Sequence, residues 1–178
     1  MNIRLLPTGE NDLDFVLSAE QSADNRSFVT VWEREQHLAA LNSEDLSHLI
    51  IENIVDGRRI GYIIFAGLAD PNQSIEFRRI VVTEKGKGYG KEALRLVKKL
   101  AFEEFKAHRL WLDVKEHNVR ARHLYQSEGF VTEGVLRECI KTEAGFESLV
   151  VMSMLRAEYY AAQQGAAPDR PQHASHQS

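Results

Sequence analysis

Lys85-Gly86-Lys87-Gly88-Tyr89-Gly90 is the stretch that decides how this chain folds. It stands between a β-branched segment, Ser74 to Val82, and an amphipathic one, Gly90 to Lys106. In the latter, Ala93, Val97, Leu100, Ala101 and Phe105 share one helical face, while Glu92, Arg95, Lys99 and Glu103 lie mostly on the other. A strand that runs through glycines into a helix gathers backbone N–H groups and the positive end of the helix dipole at one point, which suits a phosphate. Gly86, Gly88 and Gly90 permit positive φ and close approach of an anion, and Lys85, Lys87 and Lys91 add charge. A Walker loop is excluded, because no Gly-Lys-Ser/Thr follows at its spacing. Gly88-Tyr89-Gly90-Lys91-Glu92-Ala93 does fit the G-x-G-x-x-G/A pattern of dinucleotide folds, so the loop alone leaves a Rossmann-type, NAD-binding oxidoreductase open.

Working outward, Asn2 to Leu6 reads as a strand, and Asn11 or Asp12 as the cap of a helix through about Gln21. A loop from Ser22 to Ser27 leads to a second helix, Val31 to Leu41. His48 to Val55 and Arg59 to Ala66 form a hairpin about Asp56-Gly57. Beyond the long helix come a strand, Leu110 to Val114, and a helix, Asn118 to Gln126. A closing hairpin pairs Val131 to Lys141 with Ser148 to Leu155. The order predicts a mixed α/β domain over 1–162 with a mostly antiparallel sheet, followed by a polar, mobile tail over 163–178. Only one βαβ unit can be found, whereas a dinucleotide fold needs several; the hairpins on both flanks count against it.

The bulk numbers bound the rest. A chain of 178 residues with 43% hydrophobic and 27% charged residues suits one soluble domain with a real core. A net charge of -4 argues against nucleic acid as the main partner. The N-terminus lacks a signal-peptide pattern, and the longest mostly apolar run, Ile60 to Ala69, is too short to cross a bilayer; a cytoplasmic protein is expected. The single Cys139, set in a strand, is expected to be a buried structural thiol, and no metal constellation is present in the sequence.

The pattern resembles the GNAT superfamily of N-acetyltransferases. That family's acetyl-CoA loop is Gln/Arg-x-x-Gly-x-Gly/Ala, matched by Lys85 to Gly90 with Lys in the first position. Its second signature, Asn-x-x-Ala-x-x-x-Tyr…Gly-Phe, is matched by Asn118, Ala121, Tyr125, Gly129 and Phe130. The Glu133-Gly134-Val135-Leu136 continuation and final hairpin look most like the branch that acetylates polyamines and ribosomal proteins. The resemblance implies helices on both faces of the sheet and two parallel strands that splay apart near Val82 and Val114. It also implies a pantetheine arm paired with backbone around Ile80, Val81 and Val82, and loop amides from Gly86 to Lys91 on the pyrophosphate. Asn118 would bond the arm, and Ala121 would be small to let it pass. Acetyl-CoA is the implied cosubstrate, and a homodimer is common among relatives.

Acetyl transfer needs a neutral amine, although an ordinary ammonium has a pKa near ~10.4. It also needs a donor for the developing oxyanion and a proton for the departing thiolate. Tyr125 is the expected acid, since it lies two helical turns from Asn118 and shares its face. Glu76, ranked first, and Asp113 are candidate bases acting through water. The acceptor is expected between the first two helices and the last hairpin, with Asp24, Phe28, Trp32 and Glu33 as its candidate contacts. Glu10, Asp12, Asp14, Glu20 and Asp24 occur there without an intervening Lys or Arg, and an acidic mouth would attract a cationic amine. The expected reaction is direct attack by a small polyamine-like amine in a ternary complex. An N-terminal peptide acceptor and a non-catalytic acetyl-CoA sensor are the rival readings.

Overall fold

A computed structural model describes residues 2–165. Seven strands form one sheet, ordered β1-β2-β3-β4-β5-β7-β6. They are β1 (Ile3–Pro7), β2 (Leu46–Asn53), β3 (Arg59–Ala66), β4 (Ser74–Val82), β5 (Arg109–Lys115), β6 (Val131–Thr142) and β7 (Gly145–Leu155). All neighbours pair antiparallel except β4 and β5. One parallel pair is too few for a dinucleotide fold, and the Rossmann reading falls.

Helices α1 (Leu13–Gln21) and α2 (Arg34–Leu41) cover one face, packing Leu13, Val16, Ala19 and Leu38 on Ile50, Tyr62, Ile64 and Val81. On the other face lie α3 (Tyr89–Lys99), α4 (Val119–Ser127) and α5 (Arg156–Gly165), through Ala93, Leu94, Val97, Tyr125 and Tyr159. The alternation of β5 follows from this layering: Leu110, Leu112 and Val114 are buried, and Trp111, Asp113 and Lys115 are more open. No helix among the described residues is long and apolar enough to cross a membrane.

Several boundaries differ from the sequence reading for local reasons. The β2–β3 connection spans residues 54–58 rather than a two-residue turn, because Asn53 bonds Val55 N through Oδ1 and pairs its own backbone with Arg58 and Gly57. The second helix begins at Arg34, where Glu33 and Gln36 form a reciprocal cap; Trp32 therefore stays in the loop. The long helix changes to a π turn over Leu100–Glu104, and Lys106, at φ 57°, ends the segment. Residues 156–165 form α5, so 163–165 of the expected tail lie in its last turn; 166–178 lie outside the described residues.

Cys139 is exposed, not buried. It lies on the edge strand β6, which is exposed from Val131 to Cys139, and in a bulge where pairing with β7 jumps from Leu136 to Ile140 and Glu138 takes φ 48°.

Candidate active site

The parallel pair is short. β4 and β5 pair only at Ser74 with Arg109, Ile75 with Leu110 and Glu76 with Trp111. Beyond that point each strand keeps its outer partner and the two part. β4 follows β3 as far as Gly61 opposite Val82, and β5 follows β7 as far as Lys115 opposite Leu149. Gly61 is needed for this course: a Cβ there would lie 2.2 Å from the Val81 carbonyl oxygen. The gap leaves β4 backbone without a strand partner on its β5 side, which suits an extended amide-bearing chain.

A cavity of about 670 Å³ occupies the gap. Its floor is Ile80, Val82, Val114, Ala121, Leu124 and Tyr125, and one end is Lys85, Gly86, Gly88, Tyr89, Gly90, Lys91 and Asn118. The other end has Phe28, Val29, Thr30, Phe77, Arg78, Asp113, Ile140 and Leu149. The structure thus brings Tyr125, Asp113 and most of the expected cofactor residues to one space. Val81 is turned the other way, into the core under α1, and Lys87 does not line the cavity. Of the expected acceptor residues only Phe28 is in the wall; Asp24, Trp32 and Glu33 are not.

The glycine loop is shaped as an anion cradle. Gly86 and Gly88 both have φ 81°, and the space beside each is open. Gly88 caps α3 without a side chain, so the first amides of the helix have no capping partner and point into the loop. This donor set fits a pyrophosphate. The lysines are already committed: Lys85 Nζ donates to the Asp24 carbonyl at 2.6 Å and Lys87 to Glu84 at 2.7 Å, while Lys91 lies 3.6 Å from Glu128. Asn118 caps α4, its Oδ1 accepting from Ala121 N at 3.2 Å. Asn118 also lines the cavity.

Tyr125 is 8% exposed. Burial first, and then the nearby Asp113 charge, push its phenol up to about 12, so it stays protonated at neutral pH. Asp113 faces the water of the open cavity yet is crowded by protein, and this crowding raises its carboxyl above the usual range. Glu76 raises it further, and Arg78 opposes the shift. Glu76 itself sits at the fork of the two strands and is paired with Arg78 at 2.6 Å.

Sequence reasoning missed a polar cluster under α1. Glu20, 0% exposed, meets Tyr62, Arg79, His37 and the Trp32 amide. His37 Nδ1 continues to His48 Nε2 at 3.1 Å, and His48 Nδ1 to Thr8 at 2.8 Å. Burial alone would raise the Glu20 carboxyl. Hydrogen bonds from His37, Tyr62 and Trp32 N, with the Arg79 charge, bring it down to about 2 instead. Glu20, expected among the acids of an amine-attracting mouth, is buried instead. Its position three residues after Leu17 and four after Val16 was the only hint that it points inward.

Comparison with known proteins agrees with this geometry. Residues 14–130 match the model of the acetyltransferase (GNAT) family. A spermidine N(1)-acetyltransferase of Escherichia coli is 25% identical over 171 residues, covering 90% of this chain and 89% of that protein. A probable N-acetyltransferase of Bacillus subtilis, YjcK, is 34% identical over 73 residues, 41% of this chain and 40% of its own. Among solved structures, the spermidine N-acetyltransferase from Vibrio cholerae in complex with CoA and spermine superposes with a TM-score of 0.81 at 21% identity. That match covers 89% of this chain and 98% of the other. With a splayed parallel pair, a glycine cradle at a helix start and a family match across both, the chain belongs to the acetyltransferase (GNAT) family of acetyl-CoA-dependent enzymes.

Proposed function

We propose that this N-acetyltransferase acts on a primary amine of a small polyamine-like molecule, by direct attack in a ternary complex. The observation that carries the reading is the meeting of Tyr125 and Asp113 in one cavity at the fork of β4 and β5. Acetyl-CoA supplies the activated acyl group. The amides at the start of α3 hold its pyrophosphate, and the free edge of β4 around Ile80 to Val82 receives the pantetheine and offers N–H groups to charge developing on the acetyl oxygen. Asp113 draws the ammonium in. Of the two candidate bases, Asp113, which lines the cavity where Glu76 does not, is the better placed to take a proton through water. Tyr125, held neutral, keeps its proton for the departing thiolate.

The polyamine assignment is supported by the spermidine acetyltransferases that match over 90% of this chain. One observation favours a second acceptor class. The acceptor end has an apolar wall, Phe28, Val29, Ile140 and Leu149, and its cation Arg78 is already paired with Glu76. Such a wall suits the N-terminus of a peptide. A thiol-release assay with acetyl-CoA against polyamines, aminoglycosides, amino acids and N-terminal peptides decides between them. Polyamine turnover is expected; turnover of peptides alone supports the second reading, and tight acetyl-CoA binding with no turnover supports a sensor.

A homo-oligomer in the cytoplasm completes the proposal. A Vibrio cholerae relative with a TM-score of 0.76 is described as dodecameric. Edge strand β6 and its partner here expose Val131, Val135, Leu136 and Phe146. Light scattering on the purified chain tests the assembly, and a monomer would count against it.

A further inference from the structure

Glu20 joins four separate segments through one buried carboxylate. It accepts from Tyr62 Oη on β3, from Arg79 Nη1 on β4 at 2.5 Å, and from the Trp32 amide in the α1–α2 loop at 3.0 Å. His37 Nε2 on α2 lies 3.2 Å away. The Arg79 guanidinium in turn covers the Trp32 ring at 4.5 Å. Arg79 reaches this cluster because β4 is irregular: Ile64 pairs with Arg79 and Phe65 with Phe77, so Arg78 is the extra residue. Without the bulge, alternation would send Arg79 to the opposite face.

Both attachments lead to the cavity. Arg79 lines it and is followed by Ile80 and Val82 on its floor; Trp32 ends the loop whose Phe28, Val29 and Thr30 line the acceptor end. Glu20 does not line the cavity. A buried guanidinium and carboxylate are costly apart, so the strand and the loop are held in one relation by that pair.

We propose that Glu20 is a positioning residue for acetyl transfer. Through Arg79 it fixes the bulged segment of β4 that receives the acyl arm, and through Trp32 it fixes the acceptor loop against that segment. The inference rests on the acetyl-transfer reading, since it concerns the relative placement of the two substrates. The glycine cradle meets the phosphate end through backbone amides of 86–91 that Glu20 does not touch, so cofactor affinity and turnover are expected to separate.

The test compares native protein, Glu20→Gln and Tyr62→Phe by calorimetric titration with acetyl-CoA, by thiol release and by hydrogen exchange. Tyr62→Phe removes one partner of Glu20 but leaves Arg79 and Trp32 attached. In Glu20→Gln, acetyl-CoA binding is expected at full stoichiometry with Kd within about threefold of native, and kcat lower by about tenfold or more, as small misplacement of reactants allows. In the acetyl-CoA complex, amides of 28–33 and 78–82 exchange about tenfold faster, and those of 86–91 are unchanged. Tyr62→Phe keeps kcat within about twofold. Where Glu20→Gln does not fold, the charge-free pair Glu20→Gln with Arg79→Met carries the same expectations. Exchange that is unchanged, or faster uniformly across the sheet, overturns the proposal, as does a Tyr62→Phe loss equal to that of Glu20→Gln. If native protein acetylates no amine, the acceptor reading fails by itself, and the exchange pattern still decides the role of Glu20.

Discussion

The two faces of β4 serve the reaction by different means. Toward α3 and α4 the strand offers bare backbone, and the site is made of main-chain amides, glycine conformations and small side chains such as Ala121. Toward α1 the same strand sends out Arg79 and Val81 into a packed layer where Glu20, Tyr62, His37 and His48 meet. A backbone site tolerates side-chain change wherever φ and space are kept. A buried polar cluster tolerates little, because each member removed leaves another unpaired. The cofactor side should therefore fail in function before stability, and the α1 side in the reverse order, with Arg79, which lines the cavity and pairs with Glu20, joining the two.

The largest expected effect is on the cofactor side. Tyr125→Phe should lower kcat by about 10²–10⁴-fold, the usual worth of a positioned acid, with acetyl-CoA Kd almost unchanged. Stopped-flow or steady-state thiol release measures it, and a loss under about tenfold would remove Tyr125 from the chemistry. Next is Gly88→Ala. At φ 81° an added Cβ costs roughly 1–2 kcal/mol, so acetyl-CoA Kd should rise about tenfold by calorimetry. Open space beside Gly88 means that strain, not a clash, is responsible.

These two predictions concern residues that were legible in the sequence, and the reason is physical. Phosphate binding at a helix start demands glycines at fixed spacing, and a helix that presents Asn118 and Tyr125 together demands a seven-residue interval. The strands around them were legible because their β-branched runs alternate. The α1 side left no such mark. Glu20 looks like any helical acid until Tyr62, Arg79 and Trp32 converge on it from 12 to 59 residues away in the chain. For the same reason Trp32 and Glu33, read as acceptor contacts, have structural partners instead: Arg79 for the first, the α2 cap for the second. Arg156–Gly165 escaped notice as a helix because its interior faces the core mainly through Tyr159, which stacks on Phe102 at 4.9 Å.

Two smaller effects probe stability. Gly61→Ala drives a Cβ toward the Val81 carbonyl, and overpacking of this kind costs about 1–3 kcal/mol. The Tm should fall by about 2–4 °C for each kcal/mol, without a change in acetyl-CoA stoichiometry. The smallest effect is in pH dependence. Burial first, and then the neighbouring His37, hold His48 down at about 4, against 6.5 for a free imidazole. Between those values the unfolded chain binds a proton that the folded one refuses, so stability falls as pH falls from 6.5 to 4. Glu20, held at about 2 against an ordinary 4.5, extends the loss below pH 4.5. His48→Gln should flatten the slope of Tm in the first window only. An unchanged slope there would show that His48 is not buried neutral.

The central claim is that both substrates occupy the gap between β4 and β5 together, with Tyr125 and Asp113 beside them and the exposed Cys139 uninvolved. Initial rates measured over a grid of acetyl-CoA and amine concentrations test it most directly. Double-reciprocal lines should intersect, and Cys139→Ser should leave them in place. Parallel lines, the signature of an acetylated enzyme released between two half-reactions, would contradict it.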